Sequence, residues 1–246
     1  MKKIIFSILA LSLATTAMAN DKVGVGLGAG VSNSIYKGAD DNAYPVPLLD
    51  INYGNFYAKG ITVGYTFFRG EDLSLSAYLD PMAGFGIDAE DMGAGYRNID
   101  DRDTQAMVGL RADLNTGIAD IRTGATVQFG EHGSEAKISA FRAYPIGEKL
   151  VLVPSIHMKG FSGDFTDYYF GVTAEEAARP NAIKSEYKAD TAFSYGANLT
   201  AEYRVNEKLS LIGIVGVEKF SNEITDSPIV DDEAIVLASV GAKYFF

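Results

Sequence analysis

Cysteine is absent from the 246-residue chain. Its absence excludes disulfides, thiolate metal sites, a cysteine nucleophile and a lipidated N-terminal cysteine. Histidine is scarce, with only His132 and His157 available as imidazole bases. Positive charge is in deficit: 21 Lys and Arg stand against 32 Asp and Glu, a net charge of −11. That balance excludes nucleic acid as a partner, because gripping phosphates takes clustered Lys and Arg. Long apolar runs are missing as well. After residue 19 none approaches the roughly 20 residues that a spanning helix requires.

The apolar run that does exist opens the chain. Lys2 and Lys3 precede Ile4 to Ala14, which is interrupted only by Ser7 and Ser12, and Ala17-Met18-Ala19 follows with small residues where a signal peptidase reads. A secretory signal peptide over 1–19, cleaved after Ala19, is the expectation; an uncleaved anchor is disfavoured by the shortness of the run. Cleavage removes two lysines and no acid, moving the net charge from −11 to −13. The remainder, 20–246, holds no repeat or low-complexity linker and reads as one domain. It is rich in Gly (26), Tyr (14) and Phe (14).

Its periodicity is that of strands. Phe193, Tyr195, Ala197, Leu199, Ala201, Tyr203 and Val205 alternate without error with Ser194, Gly196, Asn198, Thr200, Glu202 and Arg204. Alternation over about ten residues is what a membrane barrel strand needs, with one face to lipid and the other to the lumen. Ala119, Ile121, Thr123, Ala125, Val127 and Phe129 form a second outer face, opposite Asp120, Arg122, Gly124, Thr126 and Gln128. In the first strand Val23, Val25, Leu27, Ala29 and Val31 alternate with Gly24, Gly26, Gly28 and Gly30. Ala29 breaks the glycine spacing of a dinucleotide-binding loop, so the ladder marks a closely approached sheet face. The last strand alternates Val236, Ala238, Val240, Ala242, Tyr244 and Phe246. Ending on phenylalanine, with Tyr244 two residues before it, this strand resembles the signal by which outer-membrane barrels are recognised by their assembly machinery.

With 45–53, 56–68, 72–82, 102–114, 134–144, 148–159 and 208–220, eleven strand candidates arise. A single-chain bacterial barrel has an even number. The predicted fold is therefore all-β: a transmembrane antiparallel up-and-down β-barrel of about 12 strands, with ten as the other option. A strand hidden in 83–101 or 161–172, or a false turn at Gly54-Asn55, would repair the count. The connections 32–44, 83–101, 160–190 and 221–233 are long and rich in Gly, Asp, Asn and Pro, as external barrel loops are.

Two segments carry more than barrel grammar: Phe165-Thr166-Asp167-Tyr168-Tyr169-Phe170-Gly171-Val172-Thr173-Ala174-Glu175-Glu176-Ala177, followed by Tyr187-Lys188-Ala189, and Asp226-Ser227-Pro228-Ile229-Val230. Together with Tyr36-Lys37-Gly38, Tyr44-Pro45-Val46-Pro47 and Tyr53-Gly54-Asn55-Phe56-Tyr57, they resemble the MltA-interacting protein (MipA)/OmpV family of outer-membrane proteins. The chain departs from the family's Ser-Gly continuation at Ala178-Arg179-Pro180-Asn181. The resemblance implies a role rather than a reaction. The name-giving member is a scaffold joining a murein-cleaving transglycosylase to a murein synthase, and other members are linked to osmotic response, adhesion and antibiotic susceptibility. It brings no catalytic residues to transfer.

Read without the family, Thr173-x-x-Glu176 is a capping box, with one helical turn over 174–179 that Pro180 helps to end. Phe165, Tyr168, Tyr169 and Phe170 belong either to an aromatic girdle or plug, or to a partner-docking loop with Asp167, Gly171, Val172, Asp226, Ser227 and Pro228. His132 reads as a solvated turn residue. His157 shares a face with Ser155 and Lys159 but forms no recognised nucleophile–base–orienter set, so no catalytic residue and no cofactor is expected. Asp100-Asp101-x-Asp103, Asp40-Asp41 and Asp231-Asp232-Glu233 lack the glycine and terminal glutamate of a calcium loop and read as solvated tips, so no metal is expected. The expected function is a non-enzymatic outer-membrane scaffold. Its expected partners are outer-membrane lipid and lipopolysaccharide, the barrel-assembly machinery, and a murein synthase and lytic transglycosylase. The rivals are a small channel, unless Asp120, Arg122, Glu202 and Arg204 pair and seal the lumen, and an adhesin or environmental-response protein using loops 160–190 and 221–233.

Overall fold

The computed structural model describes residues 22–180 and 182–246; the cleavage expected after Ala19 lies outside them. In the first strand, β1 (Lys22–Ser32), Val23, Val25, Leu27 and Val31 stand exposed on the outer surface while the four glycines face inward. Strand β2 runs in two segments, Asn42–Pro47 and Asp50–Tyr53. Then come β3 (Phe56–Lys59), β4 (Thr62–Arg69), β5 (Leu73–Ala83), β6 (Gln105–Asn115) and β7 (Arg122–Gly130). Strand β8 is also in two segments, Gly133–Phe141 and Tyr144–Ile146. The wall is completed by β9 (Leu150–Phe161), β10 (Ala192–Arg204), β11 (Leu209–Phe220) and β12 (Ala234–Phe245).

Each strand pairs antiparallel with its sequence neighbours, and β1 pairs with β12, so the sheet closes as a barrel of twelve strands. Closure leaves no continuous sheet edge, which in hydrocarbon would strand a row of unpaired N–H and C=O groups. The even count comes from a place the alternation conceals. The predicted strand 56–68 is a hairpin, β3 and β4, turned at Gly60 (φ +59°) and Ile61. The turn at Gly54-Asn55 is real, with Gly54 at φ +57°. Neither 83–101 nor 161–172 holds a wall strand; the latter is mostly helix.

The seam between β1 and β12 explains the glycine ladder. Gly28 sits opposite Gly241, and a Cβ placed on Gly26 would lie 2.7 Å from the Cα of Lys243. The strands meet there with no room for side chains. Strand β1 begins and β12 ends at the rim that carries the short turns, whereas the four long connections rise from the opposite rim. In outer-membrane barrels short turns face the periplasm and long loops the exterior. Tyr53, Phe56, Tyr65, Tyr203, Tyr244 and Phe246 are exposed near the short-turn rim, where an interfacial aromatic belt belongs.

Gly26→Val is expected to block the β1–β12 seam, because the obstacle is backbone of the partner strand rather than a movable side chain. Heat-modifiable migration on gels reads this out: the folded, fast-migrating band should be lost in Gly26→Val and kept in Val25→Leu, which alters only the lipid face.

Candidate functional site: a plugged mouth over a charged lumen

The long connections do not extend into solvent. They fold into the barrel mouth and bury a continuous apolar core. Phe85 is its centre, with its ring within 5.2–6.2 Å of those of Phe161, Phe165, Tyr169, Phe170 and Phe220. Ile35 and Tyr36 from the first connection, Ile87, Met92 and Ile99 from 84–104, and Ile224, Ile229 and Val230 from the last complete it. Such a core stabilises by burial of apolar surface, at roughly 25 cal/mol per Å² removed from water.

Local signals build the plug. Helix α1 (Gly163–Phe170) begins at Ser162, whose Oγ accepts from the Phe165 and Ser134 N–H groups. One hydroxyl thus caps the helix and ties it to β8. Gly84 (φ +101°) lies beneath the Tyr169 ring, a left-handed position with no space for a side chain. Helix α2 (Ala174–Ala178) has the predicted capping box, Thr173 Oγ1 accepting from Glu176 N (3.1 Å) and Glu176 Oε2 from Thr173 N (2.8 Å). Glu176 does more than cap. It is fully buried, and its Oε1 accepts from Arg102 Nη2 and Asp100 N, both at 2.9 Å. Arg102 also donates to the carbonyl of Gly171 at 3.1 Å. The short helix α3 (Asn222–Thr225) brings Ser227 under α1, where its Oγ donates to Phe170 O at 2.6 Å.

Most of the motif residues therefore face inward. Phe165, Tyr169 and Phe170 are 0% exposed and Val172 and Ser227 nearly so, which closes them to a docking partner. Gly171 is buried, with no room for a Cβ beside Asp167. The Asp167 carboxylate accepts from Ala189 N at 2.9 Å. Tyr168 is half-buried, Pro228 half-buried and Asp226 exposed. His132 is not a freely solvated turn residue: its ring stacks on Tyr168 at 3.5 Å and 3°, pinning the β7–β8 turn to α1. Several of the acidic loop residues have partners within the chain. Asp100 binds Arg179 at 2.7 Å, Asp101 accepts from Ala89 N at 2.8 Å, and Glu233 pairs with Lys219 at 2.9 Å.

Below the plug the lumen is charged. Glu218 is the hub, accepting from Lys159 Nζ (2.9 Å) and Ser194 Oγ (2.6 Å), with His157 Nε2 at 3.5 Å. Lys243 pairs with Asp50 at 3.1 Å and approaches Glu202 at 3.9 Å, and Arg111 grips Asp113 through two 2.6 Å contacts. The pairing expected among Asp120, Arg122, Glu202 and Arg204 is not what crosses the lumen. Asp120 (φ +56°) lies in the 116–121 turn with its side chain 90% exposed, 3.7 Å from Arg142, because the strand starts only at Arg122. Arg204 is exposed at the rim. Glu218, Lys159 and Lys243 were readable from alternation parity; their partners were not, since pairing across a barrel depends on register. Ser155 and His157 do share the lumen face, but the imidazole is turned to Glu218 and, at 3.4 Å, Asn198.

Two measurements test the plug. Phe85→Ala should destabilise the folded loops by about 3–5 kcal/mol, the usual cost of deleting a fully buried aromatic, and protease cleavage within 162–191 should reveal it. Acid should act through Glu176. Burial pushes its carboxyl up from 4.5, but hydrogen bonds from Thr173 and Asp100 and the Arg102 charge outweigh it and hold the folded value lower. A lowered folded pKa means stabilisation that is present above about pH 4.5 and lost as the pH falls through the folded value. Loop protection should drop in that window, and Glu176→Gln should flatten the drop while lowering protection at neutral pH.

The sequence is similar to those of known proteins. The family model described as MltA-interacting protein MipA matches residues 25–246. The chain is 30% identical over 252 residues to the MltA-interacting protein of Escherichia coli (strain K12), covering 100% of this chain and 99% of that protein. It is 29% identical over 248 residues to the 24 kDa outer membrane protein of Pasteurella multocida (strain Pm70), covering 97% and 96%. Among solved structures it is similar to the NanC porin, with a TM-score of 0.48 and 6% identity over 89% of this chain and 98% of that one.

Proposed function

Because the chain belongs to the MltA-interacting protein family of outer-membrane proteins, we propose that it is a non-conducting, non-enzymatic outer-membrane anchor that scaffolds murein-remodelling enzymes from its periplasmic rim. The observation that carries this reading is the plug. A mouth filled by the Phe85 core, above a lumen crossed by the Glu218 and Lys243 ion pairs, supports an anchor over a passive pore. A barrel of about twelve strands lies between those filled by side chains, at roughly eight, and open porins, at about sixteen.

The partner class follows the name of the E. coli relative, MltA-interacting protein, and the proposed partner is accordingly a lytic transglycosylase, with a murein synthase joined through it. The surface offered to them is the set of short turns, since the 165–172 motif is committed to the plug. Lipid and lipopolysaccharide are the proposed partners of the apolar outer wall. The barrel-assembly machinery is proposed to read Tyr244 and Phe246, which stand on the lipid side, 41% and 83% exposed, ring to edge at 5.1 Å.

The test has two arms. Cross-linking in intact envelopes, followed by mass spectrometry, should capture a lytic transglycosylase or murein synthase that an unrelated barrel does not. Recovery of assembly factors alone sinks the scaffold reading. In planar bilayers the purified protein should be electrically silent, and Phe85→Ala should raise its conductance. Steady conductance by the unaltered protein would favour a channel instead.

A further inference from the structure

The barrel wall has a window. Strand β3 is only four residues long and its hairpin with β4 turns back at Gly60-Ile61, well below the external rim. Above that turn the first segment of β2, Asn42–Pro47, pairs with β1 alone. The pairing of β5 with β4 stops at Val63–Leu79, so Asp80 to Ala83 also lack a neighbour on that side. The hydrogen bond from Gly93 N to Lys37 O (2.9 Å) joins two external loops across the top. Two strands' worth of upper wall is thus missing within a closed frame.

The frame is built to stay unpaired. Leu48 N donates to Gly26 O, so with the antiparallel alternation the N–H groups of residues 42, 44 and 46 point to β1 and those of 43, 45 and 47 point into the window. Positions 45 and 47 are prolines, which have no N–H to leave bare. Pro81 sits on the opposite edge. Directly behind the sill is a lumen cavity of about 70 Å³, lined among others by Lys59, Thr62, Asp80, Glu135, Lys137 and Lys159. Lys59 and Lys159 have acidic partners at 3.9 and 2.9 Å. Lys137 also lines the cavity and has no carboxylate within ion-pair distance among the described residues; its charged neighbours are the Glu135 and Glu218 carboxylates and the Lys159 and Arg111 cations. On the lipid side, immediately below the same sill, Phe56, Ala58, Val63, Tyr65, Leu79 and Val108 line an apolar groove of about 580 Å³, in the size range of ligand sites.

The geometry points to a binding site for a single-chain amphiphile with an anionic head. The head, a carboxylate or phosphate, passes through the window to Lys137, and the chain lies over the sill in the outer groove. Four cations, Lys59, Arg111, Lys137 and Lys159, line this cavity against two carboxylates, Asp80 and Glu135, and such an excess of positive charge in a confined space favours a further anion at Lys137. The plug closes the axial route, so the ligand comes from the membrane.

Purified full-length protein in nonionic detergent tests this with tritiated palmitate. Saturable binding is expected, with hexadecanol failing to compete because it lacks the charge. Lys137→Met should weaken binding about tenfold, the scale of a hydrogen bond to a charged group, whereas Lys219→Met on the outer wall should leave it unchanged. Stronger binding of lysophosphatidate than of palmitate assigns the head to a lipid phosphate, and the reverse to a free fatty acid. The chain contains no tryptophan, so Thr62→Trp at the sill gives a single fluorescent reporter that palmitate brominated near its carboxyl should quench. Binding undiminished in Lys137→Met, absence of saturable binding by either lipid, displacement by inorganic phosphate alone, or an unquenched reporter in a folded, heat-modifiable Thr62→Trp protein would each overturn the inference.

Discussion

Every backbone N–H and C=O that faces hydrocarbon has to be bonded within the protein, and closure of the sheet is how this chain meets that demand. The closure depends on one seam. Along β1 the inward positions are glycines, so β12 approaches until Gly28 faces Gly241 and Lys243 crosses over Gly26 to reach Asp50. Larger residues there would hold the first and last strands apart. The same demand accounts for the prolines around the window. Where the wall is interrupted, Pro45 and Pro47 stand at positions whose missing donors would otherwise be bare.

Closure creates an interior, and the chain fills it in two different ways. The upper lumen is a hydrophobic core of loops and helices around Phe85, whereas the lower lumen is a lattice of ion pairs around Glu218 and Lys243. The division has a physical basis. Loops must satisfy their own backbone groups before they can be buried, and caps at Ser162 and Thr173, together with Arg102 and Glu176, do that for the plug. Below it the wall strands are already satisfied by their neighbours, so inward side chains can be charged provided that they meet partners of opposite sign. Breaking one partner leaves the other stranded, which makes both halves of the interior intolerant of single changes.

The plugged interior directs attention to the surfaces that remain free: the short-turn rim, the apolar wall and the framed gap between β2 and β5. A family motif is often taken as a contact surface, yet here Phe165, Tyr169, Phe170 and Ser227 are interior residues whose neighbours are other parts of the same chain.

The sequence by itself determined the periods. Alternation in 23–31, 193–205 and 236–246 specified membrane strands and Thr173-x-x-Glu176 specified a cap, because each depends on residues within a few positions of one another; parity left the count at ten or twelve. Tertiary structure alone decided what lies far apart in the chain. The run 56–68 has the pattern of one strand because apolar and polar residues continue through a two-residue turn, and only pairing with β2 and β5 divides it at Gly60. The aromatics of 165–170 became a plug because Phe85 and Tyr36 meet them across dozens of residues. The lumen partners followed from register, which closure sets and no local pattern encodes.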